Sequence, residues 1–310
     1  MINKFSQMSQ HVNKINEKYF RFSKNGISSG IVNLITYVFL IALSIIFLAP
    51  FIYMIGHSLM SAEDLIDPNV NWLPRNFVFI NYSYAFEILD YMPRLFKSLG
   101  IVLLAVLGQV ISCSFVGYGL ARVKFKGNGL IFALVIFSMI IPPQCIIVAQ
   151  YLMFSKINVL ETYFPIIFPC FLSLGLSGGL FTFLFRQYYR GVPKELENAA
   201  LIDGTGLFGA YFRIVFPTAA PTILVTSILS LIWQWNNSFE PSVYIKNPAD
   251  KTLPMLLNDL GNGALGFGGG GSTNGIRLAA TLLCVLPLVI IFFVLQKYLM
   301  KGIESSGLAN

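Results

Sequence analysis

Six stretches of this chain, about residues 31–57, 95–121, 128–153, 162–187, 215–236 and 274–299, are apolar over more than twenty residues. A helix rises about 1.5 Å per residue, so roughly twenty such residues match the hydrocarbon thickness of a bilayer. Only 11% of the 310 residues are charged, against roughly 25% in soluble domains. With 55% hydrophobic residues and a mean hydropathy of +0.70, the chain carries more apolar surface than a soluble core of this size can hide. In lipid the backbone must bond to itself, which helices achieve within each segment. The expected fold class is therefore an all-α membrane protein with six transmembrane helices.

Charge distribution gives the orientation. The net charge of +7 does not point to nucleic acid, because the cations sort by side of the membrane. Residues 1–30, the turn 122–127, the segment 186–213 and the C-terminal end hold 14 of the 21 Lys and Arg residues. Nine of the 14 acids (Glu63, Asp64, Asp67, Glu87, Asp90, Glu161, Glu240, Asp250, Asp259) lie in the opposite loops. The positive-inside rule then places both termini in the cytosol of a multi-pass plasma (inner) membrane protein. Phe5, Met8, Val12, Ile15, Tyr19 and Phe22 recur at spacings of three and four among basic residues. This basic amphipathic segment, residues 1–30, suits a helix lying in the membrane interface, with a short coiled-coil arm or a frayed tail as rivals.

The longest polar segment on the cytosolic side, residues 190–217, reads as two short helices and a turn. Val192-Pro193 opens the first, since proline is tolerated where its N–H would have no partner. Glu195 and Glu197 fall in the first turn, at the positive end of the helix dipole. Gly204 and Gly206 suit the left-handed conformation that ends a helix, and a second helix is expected from about Leu207 to Phe216, barred by Pro217. Leu196 and Ala200 share a face, and so short a helix needs something to pack on. Two readings stand: a loop packed on its own membrane helices, or a coupling helix gripped by a soluble partner.

The run Glu195-Leu-Glu-Asn-Ala-Ala-Leu-Ile-Asp-Gly204, followed by Ile214-Val-Phe-Pro217, resembles the "EAA" loop of permease subunits of binding-protein-dependent ABC importers. The resemblance extends to Asn71-Trp72-Leu73-Pro74, Arg122-Val-Lys-Phe-Lys-Gly127, Trp233-Gln-Trp-Asn236, Thr252-Leu-Pro254 and Gln296-Lys-Tyr298. It covers nearly everything from residue 31 onward and points to the carbohydrate branch, on the side of the shorter maltose-type partner.

The resemblance implies a type I ABC importer permease fold: a permease domain, 31–299, with a cytosolic coupling loop at 190–217 and a tail at 300–310. It implies a second homologous permease, two copies of an ATP-binding subunit, an extracellular solute-binding protein, and a sugar or oligosaccharide as cargo, with membrane lipids around. The family's loop docks into a cleft on the ATPase, which assigns coupling to Glu195, Glu197, Asn198, Ala199, Ala200, Asp203 and Gly204. Asn198 stands where the motif has its first Glu and cannot form that ion pair. Of the tail, only Lys301-Gly302 follows the family pattern.

Chemistry of its own is absent from the chain. No Gly is followed by Lys, so there is no phosphate-binding G-x-x-x-x-G-K-[ST] loop, and ATP and Mg are expected on partner subunits only. No Ser/His/Asp set or paired-carboxylate site is legible, and no catalytic residue is assigned. Cys113, Cys145, Cys170 and Cys284 sit in apolar spans without CxxC spacing, and His11 and His57 are far apart, so no metal site is expected. The spans lack the buried ionisable residues of ion-coupled carriers. Their polar inventory is neutral, and Gln109, Ser112, Gln144 and Gln150 are the candidates for a substrate path. Such residues also bond neighbouring helices. Ile141-Pro-Pro-Gln144 is expected to break the third span. The glycine-rich segment 261–271 reads as a receptor-touching loop or an insertion without a role. The alternatives are an ABC permease for a non-carbohydrate solute, and a secondary transporter working without an ATPase.

Overall fold

A computed structural model of the protein describes residues 26–202, 204–262 and 272–307. The basic N-terminal segment, Asp203, most of the glycine-rich segment and the last three residues lie outside the described residues. Among the described residues every regular element is helical. Three helices are long and apolar enough to cross a membrane, or five if each of two bent pairs counts as one span.

Helix α1 (Gly26–Ser58) is the first span. Two short helices, α2 (Ala62–Ile66) and α3 (Ile80–Ile88), follow in the external segment. That segment is fastened by Asn81, whose buried amide donates to the carbonyls of Ser58 and Met60, each at 2.9 Å. Helix α4 (Tyr91–Arg122) is the centre of the molecule. One side of it is unusually small and polar for a membrane helix, with Ser98, Ala105, Gly108, Gln109, Ser112, Cys113, Ser114 and Gly117 all buried. Small residues let neighbouring backbones come close where lipid supplies no hydrophobic drive between helices.

The third span breaks where the paired prolines predict. Helix α5 (Asn128–Ser138) and α6 (Pro143–Lys156) meet at 103°. Pro142 is extended at φ −62°, ψ 136°, the conformation forced on a residue that precedes proline, and Pro143 starts α6.

The fourth span, expected as one helix over 162–187, is two. Helix α7 (Phe164–Phe171) and α8 (Gly178–Gly191) are separated by Leu172–Ser177, with Ser173 and Ser177 at φ +63° and +60°. Pro165 and Pro169 shorten the first half. Polar groups from α4 then supply the bonds that a continuous helix would have made. Gln109 Nε2 donates to Leu176 O at 2.5 Å, Ser112 Oγ donates to Cys170 O at 2.6 Å, and Ser112 Oγ accepts from Ser173 N at 3.1 Å. Irregular backbone at membrane depth is tolerated when its polar groups find partners within the protein, as Leu176 O and Ser173 N do here.

The fifth span also differs from expectation. Pro217 does not stop the preceding helix. Helix α9 (Lys194–Ile202) gives way to α10 (Gly206–Ala210), a π-helical turn (Tyr211–Val215) and α11 (Phe216–Thr218), and the bend of 75° comes at Ala219, before α12 (Ala220–Asn236). The widened turn bonds Phe216 N to Tyr211 O, so the helix passes Pro217 without needing its missing N–H in the regular ladder. After α13 (Phe239–Tyr244) and α14 (Leu253–Gly261), α15 (Ser272–Gly307) is the last span and packs on α1, α3, α12 and α14.

One main core joins α4, α8, the π turn, α12, α14 and α15, with Phe181, Phe185, Tyr189, Tyr211, Trp235 and Leu253 among its buried members. The closest packing in it is α4 on α8. A Cβ placed on Gly117 would lie 2.7 Å from Phe185 Cβ and 3.0 Å from Arg186 N.

Candidate functional site

The candidate site is the α9 region and the surfaces of α4 and the π turn on which it rests. Helix α9 shows two faces. Glu195, Asn198 and Ile202 are exposed, Ile202 at 86% and Leu196 at 44%, whereas Ala200 is 2% exposed and Glu197 is buried. Leu196 and Ala200, four apart on one side of the helix, differ in exposure, and Glu197 with Ala200, three residues apart, make the inner face. Ala199 is in the helix, and Asp203 lies outside the described residues.

The end of α9 is closed locally. Thr205 donates twice to Ala200 O, from its backbone N–H at 3.2 Å and its hydroxyl at 2.7 Å. Gly204 and Gly206 carry φ of +80° and +66°. A Cβ on Gly204 would meet nothing within 4 Å, so the position asks for glycine by backbone conformation alone. Gly204→Val is expected to cost about 1–2 kcal/mol at the turn, because a branched side chain resists the left-handed region. It should uncouple transport while the subunit still inserts and folds. The check is solute uptake alongside membrane yield: undiminished uptake would rule out a functional need for this turn.

Beneath α9 lies a buried aromatic and polar cluster. Tyr118 Oη donates to Glu197 Oε1 at 2.6 Å, and Arg122 Nε stands 3.6 Å from Glu197 Oε2. The Tyr118 ring is 4.9 Å from that of Tyr211 and meets Tyr189 edge-on at 5.8 Å. Ser114 Oγ bonds the hydroxyls of Tyr189 at 2.6 Å and Tyr211 at 2.9 Å. One serine on α4 thus joins α8 to the π turn. None of Ser114, Tyr118, Arg122, Tyr189 or Tyr211 stood out in the sequence as a site residue. The available signal was the spacing of Ser114, Tyr118 and Arg122, polar groups repeating every four residues along one face of an apolar helix.

Of Gln109, Ser112, Gln144 and Gln150, the structure brings together only Gln109 and Ser112, neighbours on one turn of α4. Gln109 is fully buried, its amide donating to Leu176 O and accepting from Ser230 Oγ at 2.7 Å. Ser112 is bonded to the α7–α8 break and borders an open apolar groove of about 490 Å³ with Gly108, Phe115, Phe171, Phe208 and Phe212. Gln144 is exposed at the start of α6, and Gln150 accepts from Tyr244 Oη at 3.2 Å. Gln109 and Ser112 therefore hold helices together. Among the described residues no group of three or more His, Cys, Asp and Glu could hold a metal ion.

Comparison with known proteins adds a family signature to this geometry. Residues 114–305 match the family model described as "Binding-protein-dependent transport system inner membrane component". The arabinooligosaccharides transport system permease protein AraQ of Bacillus subtilis is 29% identical over 273 residues, covering 87% of this chain and 93% of that protein. The melibiose/raffinose/stachyose import permease protein MelC of the same organism is 31% identical over 261 residues, 83% of this chain and 90% of that one. A chain from the crystal structure of a bacterial ABC transporter involved in the import of the acidic polysaccharide alginate superposes with a TM-score of 0.72. It is 18% identical and the match covers 88% of this chain and 98% of that chain.

Proposed function

The chain belongs to the family of binding-protein-dependent transport system inner membrane components, and from that membership we propose that it is one of two permease subunits lining the path of an ATP-driven sugar or oligosaccharide importer. It is a membrane-embedded transport subunit, and the reading gives ATP hydrolysis to partners: two copies of an ATP-binding subunit on the cytosolic side. A second, homologous permease completes the path, and an extracellular solute-binding protein delivers the cargo. In this reading both termini face the cytosol, which the distribution of lysines and arginines supports.

The observation that carries this reading is the two-faced α9. Its inner face is tied to α4, while Glu195, Leu196, Asn198 and Ile202 face outward. A short helix so presented is a handle for a soluble subunit. With Glu197 turned inward, Glu195 is the carboxylate in its first turn left for a partner, and Asn198 offers a neutral hydrogen-bonding group at the motif's position. ATP-driven closure of the partners would move α9 and swing the helices fixed to it, exchanging inward- and outward-open states. Carbohydrate as cargo follows from the relatives named for oligosaccharides and from spans whose polar groups are neutral.

The test is affinity purification in mild detergent followed by reconstitution. The expected result is co-purification of a second permease and an ATP-binding subunit, with ATP-dependent uptake of a neutral oligosaccharide such as raffinose or arabinotriose. An alginate oligosaccharide serves as the acidic comparison. Recovery of the subunit alone, with solute flux that ignores ATP, would overturn the importer reading in favour of a secondary carrier.

A further inference from the structure

The two acids of α9 live in different surroundings. Glu195 is exposed, whereas Glu197 is 9% exposed, with one carboxylate oxygen hydrogen-bonded and the other in an ion pair. Oε1 accepts from Tyr118 Oη at 2.6 Å and Oε2 faces Arg122 Nε at 3.6 Å. Tyr118 and Arg122 are one turn apart at the end of α4, so a single rigid helix offers a hydroxyl and a guanidinium to the same carboxylate. Arg122 reaches further, since its Nη2 donates to Val192 O, two residues before α9 begins. One side chain therefore grips both the approach to α9 and its first turn.

We propose that Glu197, Arg122 and Tyr118 form a latch that fastens α9 to the cytosolic end of α4, making Glu197 a positioning residue for coupling. This rests on the coupling role proposed above. The need for a latch is mechanical. A nine-residue helix has little rigidity of its own, and α9 is entered through the extended Val192 and left through the left-handed Gly204. Helix α9 also packs on α10 and the π turn, but without the carboxylate bond a push on it would reach α4 only indirectly, through those elements. With the carboxylate held at α4, the same push moves the helix on which α7, α8 and α12 pack. Tyr118 carries it sideways as well, through ring contacts with Tyr189 on α8 and Tyr211 in the π turn.

The pairing also explains why an acid is kept on the inner face of a helix that needs solvent-facing charge only on its other side. A carboxylate in such a place is stable only with a cation and a donor beside it, and the removal of one partner strands the other.

The test uses the complete complex in proteoliposomes and reads two quantities. One is solute moved per ATP hydrolysed, with whichever oligosaccharide of the panel above gives uptake. The other is amide hydrogen exchange of residues 194–202. Glu197→Gln keeps an acceptor for Tyr118 and removes the charge. It is expected to lower the transport-to-ATP ratio at least fivefold and to speed exchange in α9 at least tenfold. Tyr118→Phe, which keeps the ring and loses the hydroxyl, should move both readouts in the same direction by a smaller factor.

The double variant Glu197→Gln/Arg122→Met separates mechanics from charge. With both charges gone nothing is stranded, yet the latch stays open, so the ratio should remain low. Recovery of the ratio in the double variant would overturn the latch and blame an unpaired Arg122. An unchanged ratio with unchanged exchange in Glu197→Gln would overturn it as well. A wild-type complex that takes up no solute with ATP overturns the importer reading instead, and the exchange measurement still decides whether α9 is held.

Discussion

Gly117→Leu is expected to abolish solute uptake and to lower recovery of the folded subunit severalfold, the largest effect of any single substitution considered. The reason is the distance between α4 and α8. A Cβ at this position would stand 2.7 Å from Phe185 Cβ, 3.0 Å from Arg186 N and 3.1 Å from Thr182 O. These three atoms belong to, or are fixed directly by, the α8 backbone, so no rotamer change relieves the contact. Inserting bulk into a packed contact costs about 1–3 kcal/mol when side chains can adjust, and more when they cannot. Here the helices must part. Phe181, Phe185 and Tyr189 then lose their seat, and the Ser114 bridge to Tyr189 opens. Thermal unfolding in detergent provides the measurement, with Gly117→Ala as a milder step in the same direction. A melting temperature unchanged in both variants would contradict the packing described.

Gln109→Met is expected to destabilise by about 2–5 kcal/mol despite near-equal volume. The fully buried amide makes two bonds, to Leu176 O at 2.5 Å and from Ser230 Oγ at 2.7 Å, and its loss takes these partners from a half-buried carbonyl and a buried hydroxyl. Each stranded group costs about 1–3 kcal/mol. The effect should concentrate at 172–177, where the backbone between α7 and α8 depends on α4 for its bonds. Limited proteolysis or amide exchange at that segment, compared with α12, gives the readout. Uniform loosening of the whole subunit would argue against a local clamp.

How much of this was legible beforehand divides along physical lines. The membrane class, the helical fold and the double-proline break could be read because long apolar runs and paired prolines act locally and strongly. The α7–α8 break was not. Leu172-Ser-Leu-Gly-Leu-Ser177 keeps a leucine at every second position, and what interrupts it is a set of hydrogen bonds from Gln109 and Ser112, 58 to 67 residues earlier in the chain than their partners. Such bonds leave no trace in the hydropathy of the segment they break. Pro217 misled for the opposite reason, since its local signal is strong but the π turn lets the helix absorb it. In the candidate site, the glycine turn at 204 was readable from backbone chemistry. The inward turn of Glu197 was not, because helical spacing gives a residue's face without saying which neighbour that face will meet.

The history of α1 follows from its isolation. Over Val32–Ser58 it is apolar and almost wholly uncovered by the rest of the chain, and its main neighbour, α15, begins only at Ser272. During synthesis α1 enters the bilayer long before α15 is made, and until then it lacks its main neighbour within the chain. It is equipped to wait. Thr36 and Ser44 each return their hydroxyl to the carbonyl four residues back, at 2.8 Å, so neither has to seek a partner on another helix. Helix α15 is thus the element that, once made, closes on α1.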